Sequence, residues 1–289
     1  MILATRGSAL AMAQAAIVKK KLEDAGEQVT ILPVKTKGDR DRQRPLTEIG
    51  GDGLFIRELE KVLLSGEADL AVHSAKDLPY QLAEGLSIAG VPEAADPRDC
   101  LLTGSCTADP GADHGPGHLC IGTGSPRRMT QYRSLDPAAE FAGIRGNINT
   151  RIGKLKEGAY GGIILAKAGL DRLMPDLTGL TVKTFSPEDM IPAPCQGILA
   201  AECRSGDRRT AELLKRFTDP EALRRFEAER YLFGRMKADC SVPLGVYAEF
   251  QGEAVTIRAL FGARRFVKKG PAAEYRRLCD EICGEGGIV

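Results

Sequence analysis

The stretch ADLAVHSAKDLP, residues 68–79, decides the fold: it reads as a buried strand running into a polar turn, the place where α/β domains display functional groups. Its surroundings repeat the alternation. Upstream, FIRELEKVLLSGE (55–67) is an amphipathic helix, and VTILPVKT (29–36) is a strand in which Pro33 marks an irregularity or a sheet edge. Before them, SALAMAQAAIVKKKLEDAG (8–26) is a helix with Ser8 as N-cap and Gly26 as its stop, and MILA (1–4) is a short strand. The order βαβα predicts an α/β domain.

The pattern restarts near residue 100. CLLTG (100–104) and LCIGTGS (119–125) read as strands around a Gly/Pro/His loop; helix PRRMTQYRSL (126–135), strand EFAGI (140–144), helix NINTRIGKLKEG (147–158) and strand GGIILAKAG (161–169) complete a second α/β domain. The halves echo each other weakly, through ATRGS (4–8) in one and GTGS (122–125) in the other. Each is a strand end that opens a helix, hence either an ordinary capped turn or an anion cradle. The Pro-rich SPEDMIPAPCQG (186–197) then precedes ILAAEC (198–203), a buried strand. Segments that cross between paired α/β domains make a hinge with the ligand in the cleft. Helix PEALRRFEAERYLFGRM (220–236), a turn at Cys240, a hairpin VYAEFQGEAVTIRALFG (246–262) and helix PAAEYRRLCDEIC (271–283) form a smaller α+β domain. The expected division is 1–95 with 196–217, then 99–191, then 219–289.

At 289 residues, 43% hydrophobic and 27% charged, the chain has the composition of a soluble globular protein. No apolar run reaches a membrane span and MILATRGSAL lacks the apolar core of a signal peptide, so a cytoplasmic protein is expected. A net charge of +1, no Trp and 5% aromatic residues argue against a nucleic-acid partner. Arginine outnumbers lysine, 25 to 15, and its planar fork grips carboxylates and phosphates. An anionic small ligand follows. Zinc at Cys106, His114, His118 and Cys120 is set aside, because HGPGH reads as loop and the cysteine spacing fits no zinc pattern; no metal is expected.

Arg6, Arg127, Arg128, Arg145, Arg151 and Arg172 recur at turns and helix starts. Any one of them could be a solvated face, but Arg127 and Arg128 directly follow GTGSP and would point with a helix N-terminus to one place. Asp77 is either a turn cap or the one negative charge facing an anionic ligand, there to stabilise something cationic.

Nine motifs run in order along the chain: ATRGSALAMAQA, GLFIRELE, ADLAVHSAKDLP, DPRDC, GTGSPRR, IRGNINTR, IILAKAGLDRL, QGILAAECR and ADCSVPLG. Together they resemble the porphobilinogen deaminase (hydroxymethylbilane synthase) family of tetrapyrrole biosynthesis. The resemblance implies two periplasmic-binding-protein-like α/β domains joined by hinge segments, plus a small C-terminal α+β domain. It implies a dipyrromethane primer held by a thioether to Cys240, on which four porphobilinogen molecules are joined head to tail with release of ammonia before hydroxymethylbilane is hydrolysed off. A thiolate suits that attachment, being a soft nucleophile toward an electron-poor methylene.

By the same resemblance Asp77 is the catalytic carboxylate. Lys76, Thr123, Ser125, Arg127, Arg128, Arg145 and Gly146 join Cys240 around the cofactor. Arg6, Ser8, Gln14, Phe55, Arg145, Arg151, Arg172 and Gln196 meet the substrate. A monomer is expected. The chain departs from the family pattern at TEIGGDGLF (47–55), where Glu48 and Asp52 replace lysines of a mobile loop, and Arg40, Arg42 and Arg44 just upstream are candidates to take over. It departs also at Ala238 and Asp239 before Cys240, and at Cys195 beside QG. Other readings are a non-catalytic two-domain carboxylate-binding protein, an inactive family member, and a cysteine hydrolase pairing Cys240 with His73, for which no orienting group is evident.

Overall fold

A computed structural model describes residues 1–35, 56–104, 120–236 and 242–287. In chain order these form β1 (Ile2–Arg6), α1 (Ala9–Asp24), β2 (Thr30–Val34), α2 (Arg57–Leu64), β3 (Leu70–Ser74), a 3-10 turn (Ala75–Asp77) and β4 (Leu86–Ala94). There follow β5 (Asp99–Gly104), β6 (Cys120–Gly122), α3 (Pro126–Leu135), β7 (Glu140–Ala142), α4 (Ile148–Lys156), β8 (Gly162–Ala166), α5 (Lys167–Leu173) and β9 (Leu180–Thr184). Then come β10 (Ile198–Arg204), α6 (Arg208–Arg216), α7 (Pro220–Met236), β11 (Leu244–Gln251), β12 (Ala254–Phe261), β13 (Arg264–Pro271), a 3-10 turn (Ala272–Glu274) and α8 (Tyr275–Gly286).

The chain divides into two compact units, Met1–Ala95 with Cys195–Arg230, and Asp96–Pro194 with Tyr231–Val289. The first unit holds a five-stranded sheet in the order β2-β1-β3-β10-β4. Strands β2, β1 and β3 are parallel; β10 runs against both β3 and β4. Pro33 lies in β2, an edge strand, where its missing N–H leaves no inner ladder broken. Period-2 alternation decides the packing. Leu70 and Val72 face Val18 and Leu22 of α1, while Ala71 between them turns to Leu59 and Leu63 of α2. A sheet covered on both faces needs apolar residues at every central position, which is why LAVHS shows no polar alternation.

The second unit repeats the plan in its sheet β7-β6-β8-β5-β9: β7, β6 and β8 are parallel, and β5 runs against β8 and β9. Ile163 and Leu165 pack with Ile152 and Leu155 of α4, and Ile164 with Tyr132 of α3. β1 and β6, which carry the echoing ATRGS and GTGS turns, therefore hold the same place in their sheets. The same unit contains an antiparallel sheet β11-β12-β13 with α8 laid on it. Leu278, Cys279, Ile282 and Cys283 form the buried stripe of α8, and Leu278 comes so close to Gly270 that a Cβ there would meet it at 3.2 Å.

Three differences from the sequence reading have local causes. GGIILAKAG is a strand only to Ala166, and Lys167 already opens α5. The C-terminal hairpin is a three-stranded sheet, because RRFVKKGP pairs with β12 over its whole length. Strands β4 and β9 and helix α6 were not anticipated. In β4 the interrupting Gly90 is what lets α6 approach: a Cβ there would lie 2.8 Å from the Leu214 carbonyl oxygen.

Candidate active site

Functional groups gather where β1 and β3 end. Ser8 caps α1, accepting the Ala11 N–H at 3.3 Å, as its position before the helix predicts. The 3-10 turn after β3 is pinned by two apolar anchors, Ala75 and Leu78, which pack with Val91, Ile198 and Phe226. Between those anchors Lys76 and Asp77 are left exposed. Lys76 donates to Oε1 of the buried Gln196 at 3.3 Å. Asp77 has no hydrogen-bond or ion-pair partner among the described residues. Arg6, Ser8, Gln14, His73 and Asp77 line one cavity. Gln14 is itself committed, donating to Ser74 Oγ at 2.8 Å and accepting from it at 3.2 Å, which ties α1 to the end of β3.

His73 has an orienting group that spacing could not reveal. Its Nε2 lies 3.0 Å from Oε2 of Glu202, on the neighbouring strand β10, and both side chains are buried. The other oxygen of Glu202, Oε1, is buried without a hydrogen-bond partner among the described residues.

In the second unit β6 leads through 123–125 into α3. Thr123 is buried and spends its hydroxyl on the turn, accepting the Ser125 N–H at 3.2 Å, while its own N–H donates to Ala142. Ser125 holds the N-cap position of α3 but makes no side-chain cap, and Pro126 follows at the first helical position. Arg127 and Arg128 both turn inward onto one carboxylate. Arg127 Nη1 donates to Asp99 Oδ2 at 2.7 Å and to the Ile191 carbonyl at 2.8 Å; Arg128 donates through Nε and Nη2 to Asp99 Oδ1 at 3.1 and 2.7 Å, and through Nη1 to the Ile164 carbonyl. Asp99, from the DPRDC motif, is the partner that sequence reasoning missed.

Two guanidiniums around one carboxylate leave a positive charge in a buried place, and burial together with Arg128 pushes the Arg127 pKa down. Arg151, on α4, is also lowered, first by burial and then by the charges of Arg128 and Arg145. Cations that repel one another in a partly dry site suit a ligand bearing several carboxylates. Gly146 sets the local geometry: its φ of +115° admits the turn into α4, capped by Asn147, and its carbonyl accepts from Arg151 Nε at 2.8 Å. Arg145 precedes it, and Arg172 is on α5.

Cys240, Phe55, the arginines at 40, 42 and 44, Glu48, Asp52, Ala238, Asp239, Cys106, His114 and His118 lie outside the described residues. None of the helices among the described residues is long and apolar enough to cross a membrane.

Each unit of this α/β chain thus carries its own charged groups near its strand ends: exposed Lys76 and Asp77 in the first, and Arg127 and Arg128 around Asp99 in the second. The porphobilinogen deaminase family matches this chain in two pieces, its dipyromethane cofactor binding domain over residues 1–212 and its C-terminal domain over 223–272. The chain belongs to that family. The porphobilinogen deaminase of Roseiflexus sp. (strain RS-1) is 38% identical over 300 residues, covering 99% of this chain and 97% of that protein. That of Syntrophus aciditrophicus (strain SB) is 41% identical over 266 residues, covering 91% and 85%. Among solved structures, the second substrate-binding domain of Lactococcus lactis GlnP in its open conformation superposes with a TM-score of 0.44 at 8% identity, covering 75% of this chain and 86% of that one.

Proposed function

We propose that this chain is an active hydroxymethylbilane synthase, which condenses four porphobilinogen molecules head to tail with release of ammonia and frees hydroxymethylbilane by hydrolysis. The single observation that carries the reading is the excess of positive charge in the second unit, where the buried Arg127 and Arg128 share Asp99 as their one counter-ion among the described residues and the half-buried Arg145 and Arg151 add to their field. Each pyrrole brings an acetate and a propionate, so a full-length bound chain presents roughly twelve carboxylates for guanidinium forks to pair.

Cys240 would hold a dipyrromethane by a thioether, and that group would supply the pyrrole carbon to which substrate is joined. Around it, Arg127 and Arg128 keep their planes fixed by Asp99 and offer their remaining donors to carboxylates, with Arg145 and the Ser125 hydroxyl beside them. Gly146 holds Arg151 in place through its carbonyl. Of the first unit, Arg6, Ser8, Gln14, Phe55, Lys76 and Gln196, and of the second, Arg145, Arg151 and Arg172, bind substrate or cofactor. Asp77, exposed on its pinned turn, accepts pyrrole N–H groups and stabilises the positive charge that develops on their nitrogens. The three sheets support three domains with the limits 1–95 with 196–217, 99–191 and 219–289, and the protein is taken to act as a cytoplasmic monomer.

Intact-mass spectra of the wild type and of Cys240→Ser test the assignment. The expected result is a mass excess of two pyrrole units in the wild type alone. An unmodified wild type that gains no mass from added porphobilinogen would remove the reading.

A further inference from the structure

We propose that His73, oriented by Glu202, is a second proton-transfer group of the cavity that contains Asp77. The inference rests on the deaminase reading and extends it to a pair of residues to which the family resemblance gave no role.

Position comes first. His73 lines the same cavity as Arg6, Ser8, Gln14 and Asp77, at the end of β3. Its Nε2 is engaged by Glu202 at 3.0 Å, and that is the only hydrogen bond the Glu202 carboxylate makes among the described residues. A buried carboxylate oxygen with no protein partner among the described residues departs from the rule that buried polar groups are paired, and calls for a structural water or a chemical role. A carboxylate on Nε2 favours the tautomer with the proton there and leaves Nδ1 as the acceptor.

The reaction needs such an acceptor. At each addition the bond between the methylene carbon and the ammonium nitrogen of porphobilinogen breaks, and ammonia leaves with the electron pair. A carbon–carbon bond forms, and the pyrrole ring that made it loses one proton from its α-carbon, whose electrons return to the ring. Asp77 is occupied with the charge on the pyrrole nitrogens. His73 Nδ1 takes the carbon-bound proton and yields it to the departing ammonia, which leaves as ammonium; atoms and charge then balance. The competing role, a buried bridge between β3 and β10, needs no contact with substrate.

The test uses holoenzyme carrying His73→Gln or Glu202→Gln, first checked by intact mass for the two-pyrrole increment. The expected result is a kcat reduced about 10²-fold or more in His73→Gln and less in Glu202→Gln, with KM little changed, as for loss of a proton-transfer group. Porphobilinogen deuterated at its free α-carbon should then turn over more slowly than the protiated substrate in His73→Gln, with a smaller difference in the wild type. Unchanged kcat, or a reduced kcat with no added isotope effect, overturns the proposal and leaves the pair a structural bridge. Should His73→Gln fail to fold, nitrogen-15 spectra of a His114→Gln/His118→Gln protein, whose one remaining imidazole is His73, decide instead. Nε2 protonated with Nδ1 bare, and perturbed by added porphobilinogen, supports the proposal; the opposite tautomer, or an unperturbed ring, overturns it. A wild type that neither carries the increment nor consumes porphobilinogen removes the deaminase reading itself, a failure distinct from these.

Discussion

Arg128 binds Asp99 through two nitrogens, Nε and Nη2, both onto Oδ1, while the other oxygen of that carboxylate is held by Arg127. Asp99 is fully buried and serves as the counter-charge for both cations. Asp99→Ala should therefore destabilise the protein by about 3–5 kcal/mol, the cost of stranding buried charge, although the change removes little apolar surface. Chemical denaturation reads this directly. A loss below about 1 kcal/mol would show that water reaches the guanidiniums.

Asp77 offers the opposite case. Its turn is anchored by Ala75 and Leu78, so Asp77→Ala should melt like the wild type yet lose nearly all activity. Asp77→Glu keeps the charge on a longer stem and should retain some turnover. Equal and mild losses in both variants would show that the carboxylate is not catalytic.

Gly146→Ala meets two obstacles at once. An added Cβ would lie 2.6 Å from Thr150 Cγ2 and 2.7 Å from its Cβ, and the φ of +115° suits glycine alone. A loss of roughly 1–3 kcal/mol is expected from the strained backbone. Adding Thr150→Ser relieves the nearest contact but not the φ, so thermal melts of the double variant should recover only part of the loss.

Thiol burial gives a dependence on alkaline pH. Burial raises Cys203 to about 11 and Cys279 to about 12, from an ordinary 9.0. Above pH 9 the unfolded chain releases protons that the folded one keeps, so stability falls as pH rises from 9 toward 11, by about 1.4 kcal/mol per pH unit for each thiol. Below pH 9 these thiols add no slope. Denaturation curves from pH 8 to 10.5 should be steeper in pH for the wild type than for Cys203→Ala/Cys279→Ala; identical slopes would exclude the effect.

Local patterns announced the local structure. Helix α7 spans Pro220–Met236, the limits set by its opening proline and its run of helix formers, and the strand in residues 68–79 ends at Ser74 before its polar turn. Strand β13 went unread because Arg264, Arg265, Lys268 and Lys269 mask it, and a lone hydrophilic strand has no period of its own. Its charges have fixed uses: Arg264 and Arg265 donate to the carbonyls of Gly286 and Asp189. Of the site, the arginines and Asp77 were legible as residues, but their partners were not. Asp99 meets Arg127 across 28 positions and His73 meets Glu202 across 129. Such pairings depend on sheet order, which no spacing rule encodes.

Strand β10 lies between β3 and β4, yet the chain reaches it only after the whole run from β5 to β9. A nascent chain leaving the ribosome thus has β3 and β4 in hand long before the strand that joins them. During synthesis both carry an open edge, a template for wrong pairing. The ladder closes only once residue 204 has emerged, so the first third of the protein to be translated waits on a segment made some hundred residues later.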